Sequence, residues 1–285
     1  MLRSVVVTSL AAGLVGSFQQ APPRPRITGI NHVAFRVSDP AAAREFYADM
    51  LGLNERRARA GRIEYGIGPN QAVVLEPGLR SGEDERLSHI AVATPDIAAL
   101  TAYLTSRNIT ILQSPQRCEE SAIRVTDPDG HTIEFVQVKW PPDAGAVPHM
   151  RSLSDRLLHA GAIVRDEERA QTFYRDVLGF IEIWRGGRAD GVTRWINMRV
   201  PDGTDYLEYM LASSSPDRRE RGVLHHLCLR VPDMQVAWEE VARRSVRLQR
   251  PMPSPPQIGI NGRYQLNLYD SDGTRVELME PFTVR

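Results

Sequence analysis

Four segments of this chain open alike: a histidine starts an apolar stretch and an aspartate follows seven residues later. They are HVAFRVSDP from His32, HIAVATPDI from His89, HAGAIVRDE from His159 and HLCLRVPDM from His226, with the aspartates Asp39, Asp96, Asp166 and Asp233. At 285 residues the chain is long enough for two ordinary domains, each with its own core. A fourfold unit in a chain of this length predicts two domains of two units each.

The closest internal match pairs residues 32–53 with 159–180. HVAFRVSDPAAAREFYADMLGL and HAGAIVRDEERAQTFYRDVLGF share the His, the Asp, Phe46-Tyr47 with Phe173-Tyr174, and Leu51-Gly52 with Leu178-Gly179. The physics of the motif is direct. A β-type stretch ends at an aspartate able to cap a helix. The helix buries Phe and Leu at helical spacing and stops at a glycine free to take positive φ. The second and fourth segments keep the strand, the Pro-Asp helix start and an amphipathic helix. They close on DPDGHTIEF (127–135) and DSDGTRVEL (270–278), where an Asp-Gly turn leads into a strand. With ESAIRVTD, TRWINMRVPD and YQLNLYDSDG read as hairpin strands, each quarter becomes strand–helix–strand–strand–strand. KWPPDAGAVPHMRS (139–152) marks the linker.

Late in the units, glutamates sit inside apolar runs: Glu134 in TIEFV, Glu208 in YLEYM, Glu277 in VELM and, more loosely, Glu76 in VVLEP. A module with His near its start and Glu near its end, repeated and paired, can build a His/carboxylate metal site. Basic and acidic residues balance at 35 each, so nothing points to nucleic acid. Cys118 and Cys228 form neither a disulfide framework nor a C-x-x-C pair. His225 falls on the opposite strand face from His226. His131, on a turn, and His149, in the linker, are expected in solvent, and Cys228 is expected as a small buried apolar residue.

The first residues differ from the rest. MLR is a basic start, SVVVTSLAAGLVGSF an uncharged apolar run, and QQAPPRPR a polar flank. That is the layout of a secretory signal over residues 1–21, cleaved after Ser17 or Ala21, and the run is short for a membrane span. The expectation is export to the periplasm or outside the cell, with no membrane span after processing.

Four βαβββ modules, with FYxDxLG after a strand histidine and DPDG-x-x-x-E before the end, resemble the vicinal oxygen chelate superfamily. That group includes glyoxalase I, extradiol dioxygenases, methylmalonyl-CoA epimerase and bleomycin-resistance proteins. The resemblance implies an α+β fold: tandem domains over residues 28–138 and 156–281, joined by 139–155, each a curved mixed sheet with helices outside. It implies one divalent metal per competent domain (Zn, Fe, Mn, Ni or Co). Carried over residue by residue, the ligands are His159, Glu208, His226 and Glu277 in the second half. The first-half set is His32, His89, Glu134 and Glu76. Glu76 lacks the Asp-Gly turn that sets register elsewhere, and a two-residue slip would put Val74 in its place.

The resemblance further implies an enzyme that chelates a small substrate through two adjacent oxygens and moves a proton, as a lyase or isomerase. A ligand carboxylate serves as base in glyoxalase-like members, giving Glu208 and Glu277 that second role. Two alternatives remain: an extradiol ring-cleaving dioxygenase, and a non-catalytic binding or resistance protein. The extradiol pattern asks for a histidine and a tyrosine ahead of the last strand. INGRYQLNLYDSDGTRVE has no histidine, and Asn267 aligns with the tyrosine while Tyr264 and Tyr269 fall out of register.

Overall fold

The computed structural model describes residues 22–59, 61–80, 85–112, 122–139, 151–212 and 216–284. The secretory-signal expectation, Cys118 and His149 lie outside them. No helix among the described residues is long and apolar enough to cross a membrane.

The first half runs β1 (Gly29–Val37), α1 (Pro40–Arg44), β2 (Asn54–Arg59), β3 (Arg62–Ile67), β4 (Gln71–Pro77), β5 (Leu87–Thr94), α2 (Ile97–Ser106), β6 (Ala122–Thr126) and β7 (Thr132–Gln137). The second half runs β8 (Arg156–Val164), α3 (Glu167–Gln171), β9 (Ile181–Gly187), β10 (Thr193–Arg199), β11 (Tyr206–Leu211), α4 (Arg218–Leu224), β12 (His226–Arg230), α5 (Met234–Arg247), β13 (Gln257–Ile258), β14 (Arg263–Tyr269) and β15 (Arg275–Thr283). Two mixed sheets result, ordered β2-β3-β4-β1-β5-β7-β6 and β13-β14-β15-β12-β8-β11-β10-β9. This is the α+β arrangement expected from the repeat.

Each of the four repeated aspartates is a helix N-cap. Asp39 accepts from the amides of Ala41 and Ala42, Asp96 from Ala99, Asp166 from Arg169 and Asp233 from Val236. The FYxDxL segments continue α1 and α3 with a wider turn than expected: the Leu51 amide bonds the Phe46 carbonyl and Leu178 bonds Phe173, five residues back. This i→i+5 pattern lets adjacent Phe and Tyr both turn inward, and Phe46, Tyr47, Phe173 and Tyr174 are all buried. Gly52 and Gly179 then end the turn at φ of 74° and 78°, where a side chain would be strained. The helix α4 was not anticipated, although Asp217 and Glu220 form a reciprocal capping box at its start.

Sheet order brings the histidines together. In each half the opening strands of the two modules, β1 with β5 and β8 with β12, run antiparallel side by side. Each is flanked on its other edge by the closing strand of its own module, in parallel. The period of two sends Val33, Phe35 and Val37 of β1 into the core, and His32 to the opposite face. Histidines from the two central strands and a glutamate from a flanking strand therefore meet on one face.

Candidate metal centres

In the second half the Nε2 atoms of His159 and His226 lie 3.0 Å apart. Glu277 Oε2 stands 3.3 Å from His159 Nε2 and 3.9 Å from His226 Nε2. Glu208 Oε2 stands 3.3 Å from His226 Nε2 and 3.8 Å from His159 Nε2. The donor atoms of His159, His226 and Glu277 all fall within 4.8 Å of one another. All four expected side chains are buried at one place. Gly161 faces His226 across the ladder, and a Cβ there would lie 2.0 Å from the imidazole carbon, so the glycine leaves the ring its space.

The first half repeats the arrangement. His32 and His89 Nε2 are 3.0 Å apart, and Glu134 Oε2 is 3.5 Å from each. Glu76 is not part of it. The ladder pairs Ala34 with Val74 as it pairs Gly161 with Glu208, so Val74 stands where the second half has its fourth donor. Glu76, two residues further on, instead accepts the Ser88 hydroxyl at 2.6 Å.

Three of the four rings, those of His32, His89 and His226, are set up as lone-pair donors. His226 Nδ1 lies 2.9 Å from the Leu224 carbonyl, an acceptor, so Nδ1 carries the proton and Nε2 faces the centre bare. His32 Nδ1 meets the Asn31 side-chain oxygen at 2.8 Å, with the same consequence. At His89 the order passes through two residues. Ser88 gives its proton to Glu76, so its oxygen accepts from His89 Nδ1 at 3.2 Å and leaves Nε2 bare. Burial first, then Arg124 and Arg36, lowers the His89 pKa to about 3. Burial likewise drives that of His226 well down, helped by Arg275 and His159. Both rings are neutral.

In the first half the two bare nitrogens, 3.0 Å apart beside a carboxylate, repel one another unless a cation lies between them, and the second half repeats the 3.0 Å spacing. Metal–nitrogen bonds of about 2.1 Å meeting at roughly 90° span this separation. The donor set therefore fits a divalent ion in both halves.

The second centre has companions that sequence reasoning passed over. Tyr206, two residues before Glu208 on the same face, sets its ring 4.6 Å from that of His159. Its hydroxyl is buried without a hydrogen-bond partner, as is the side-chain oxygen of Asn197, opposite Glu208 in the ladder. Burial, then Cys228, Glu208 and Glu277, raises the Tyr206 pKa well above that of a free phenol, so the hydroxyl keeps its proton. Period-two spacing from Glu208 was the available signal. Cys228 is buried as expected, yet it is not merely apolar: its thiol bonds Glu277 and, with burial as the main cause, stays protonated. Asn267 does pair with Glu277 across the ladder, while Tyr264 and Tyr269 are partly exposed.

His131 departs from its expected place in solvent. Its Nδ1 bonds Asp127 at 2.8 Å, and its ring meets that of His225 edge-on at 5.1 Å between centroids. His225 does face away from the metal centre, as alternation required, and is buried in this contact.

With fold and donors in place, comparison with known proteins assigns the chain to a family. The model of the Glyoxalase/Bleomycin resistance protein/Dioxygenase superfamily matches residues 29–135 and 156–278, and the chain belongs to that superfamily. It is 29% identical over 238 residues to metapyrocatechase 2 of Cupriavidus necator, covering 75% of this chain and 70% of that protein. It is 28% identical over 149 residues to the mitochondrial methylmalonyl-CoA epimerase of Bos taurus, covering 48% and 78%. The 2,3-dioxygenase LapB from Pseudomonas sp. KL28 superposes with a TM-score of 0.69 at 17% identity, over 90% of this chain and 93% of that one. At that identity the likeness speaks for the fold.

Proposed function

We propose that this protein is a divalent-metal-dependent enzyme of the glyoxalase-like kind. It binds a small substrate through two adjacent oxygens and catalyses proton transfer, as a lyase or isomerase. The second half is the reacting centre, with His159, His226 and Glu277 as ligands and Glu208 as fourth donor and base. When bound, the metal supplies electrostatic stabilisation of the negative charge that develops next to a carbonyl as a proton leaves carbon.

The observation that carries this reading is Glu208, whose oxygen is 3.3 Å from His226 Nε2. A second carboxylate takes up coordination space that dioxygen and a catecholate would need together, and offers a base beside the substrate. The protonated Tyr206 hydroxyl, a donor, and the Asn197 side-chain oxygen, an acceptor, are both buried without partners and suit a hydroxyl-bearing substrate better than an apolar ring. His226 is held in one tautomer by Leu224.

A ring-cleaving dioxygenase is the second reading, favoured by the match to metapyrocatechase 2 over 75% of the chain. Against it stands Asn267 at the place where that pattern carries a tyrosine. A binding-only protein is disfavoured by a His/His/Glu triad in each half. Residues 1–21 are read as an export signal, which makes glutathione an improbable co-substrate.

The test uses the Fe²⁺-loaded and Zn²⁺-loaded protein in parallel. A panel of catechols under air should give neither oxygen uptake nor yellow product with the Fe²⁺ form. Hydroxyacetone in D₂O should exchange its carbon-bound protons with the Zn²⁺ form, and Glu208→Gln should slow exchange by about 10²–10⁴ while metal stays bound. Robust catechol turnover would make Glu208 a bystander and the mechanism wrong.

A further inference from the structure

The two centres share their triad and differ in what surrounds it. At Glu277 the ladder partner is Asn267, whereas at Glu134 the same place is held by Arg124. Arg124 Nε and Nη2 both reach Glu134 Oε1 at 2.9 Å, leaving Oε2 to the histidines. The Arg62 Nη2 nitrogen stands 3.5 Å from His32 Nε2, the atom that faces the centre. Its other terminal nitrogen, Nη1, is buried without a hydrogen bond, with Glu76 Oε1 at 3.7 Å. Counting along β3 and β10 from the matched pairs Glu64–Val74 and Asn197–Glu208 puts Trp195 where Arg62 stands. Thus the second half offers Glu208, Asn267 and Trp195 where the first has Val74, Arg124 and Arg62.

These exchanges all move charge in one direction. At these three places the first centre loses a carboxylate and gains two guanidinium groups, while Arg36 acts on His89 as Arg275 acts on His226 in the second half. Glu76 offsets part of this, but it is already engaged by Ser88. A divalent ion added to this set leaves a surplus of positive charge around the open coordination positions. A neutral ligand does nothing to relieve it. An oxyanion does, and a planar guanidinium beside those positions can donate two parallel hydrogen bonds to a carboxylate. Both arginines keep about a fifth of their side-chain surface exposed, so each bridges the buried triad and the solvent.

We infer that the first-half centre is a distinct binding site for a small doubly charged anion with adjacent oxygens, of the dicarboxylate class. His32, His89 and Glu134 would hold the metal that chelates two of the oxygens, Arg62 takes a free carboxylate oxygen, and Arg124 keeps Glu134 turned to the triad. The inference rests on reading His32, His89 and Glu134 as a metal site. It makes the first half a charge-selective binding centre and leaves the second to neutral or singly charged substrates.

The full chain with His226→Ala, loaded with Zn²⁺, isolates the first centre, and Glu277→Ala in the same role guards against a folding defect. Zinc content should be about one per chain, and oxalate titrated by calorimetry should bind once per zinc. Arg62→Met and Arg62→Gln should each weaken oxalate at least about tenfold, the effect of one charge-assisted hydrogen bond. Zinc content should not change in either. Hydroxyacetone should bind at least about tenfold more weakly than oxalate. Equal oxalate affinity with and without Arg62, or equal affinity for hydroxyacetone, overturns the anion assignment while leaving the metal site standing. Zinc missing from both background variants overturns the metal reading itself, and the anion site with it.

Discussion

Tyr47 gives its buried hydroxyl to Asp270, 223 residues away, at 3.2 Å. The bond crosses from the FYxDxLG helix of the first half to the Asp-Gly turn of the second. Tyr174 makes the reciprocal bond to Asp127 at 2.8 Å. Beside each, a further link repeats the exchange: Ser38 holds Asp272, and Arg165 holds Asp129. The two motifs that mark the repeat are thus each other's partners across the boundary.

Tyr47→Phe and Tyr174→Phe should each cost about 1–3 kcal/mol, because a buried carboxylate loses a donor. Urea unfolding of the full chain measures this, with metal content expected to stay at the parental value. A loss below a few tenths of a kcal/mol in both variants would show that the clasp is incidental to stability.

The second centre should empty when its donors are removed. Single changes His226→Ala and Glu277→Ala should each abolish metal in that half and leave a folded protein, while His89→Ala should empty only the first. Elemental analysis of protein purified without added metal reads the outcome. Full occupancy in both second-half variants would sink the ligand assignment.

The boundary should also carry a pH dependence. Burial disfavours charge on both His131 and Asp127, but their mutual contact outweighs it, raising the His131 pKa and lowering that of Asp127. A raised base stabilises fully below its unfolded value, about 6.5, and that contribution is lost as pH rises through the folded value. Asp127 contributes above its unfolded value of about 3.9 and loses it as pH falls through the lower folded one. His225, Glu85 and Asp129 face the same contact and remain in the variant. His131→Gln should therefore be most destabilised relative to the parent between about pH 4.5 and 6, with the gap narrowing by pH 9. A gap that is flat with pH would show that His131 stays neutral.

Export predicts a shortened chain. Intact mass of protein from the native host should place the mature start between about residues 18 and 22. A full-length cytosolic species would contradict the localisation.

What could be read in advance follows the range of the forces involved. Asp39, Asp96, Asp166 and Asp233 cap helices within three residues of themselves, and Gly52 and Gly179 end them by a local backbone need, so both were legible. His32, His89, His159 and His226 were legible because the repeat aligned them. Register between strands is not local. Whether Val74 or Glu76 lies across from Ala34 depends on where β4 enters the ladder, and only the sheet decides that. His131 sits in a turn that would be exposed in one half alone, and contact with the other half buries it. Arg62 and Arg124 carry no motif and gain meaning only from what stands at the matching places. The α4 helix had a legible start in Asp217 and Glu220.

The reciprocity between Tyr47–Asp270 and Tyr174–Asp127 has a consequence for the separate halves. Each half presents both a donor tyrosine and an acceptor aspartate, and each finds its partner in the other half. Cut in two, the chain would yield fragments that each carry a complete lock and key for another copy of themselves. Residues 22–139 expressed alone would present the surfaces for a two-fold symmetric dimer, with Tyr47 of each copy facing Asp127 of the other. Joining both halves in one chain replaces a concentration-dependent meeting with a tethered one, and frees the two candidate centres to diverge while the seam between them stays shared.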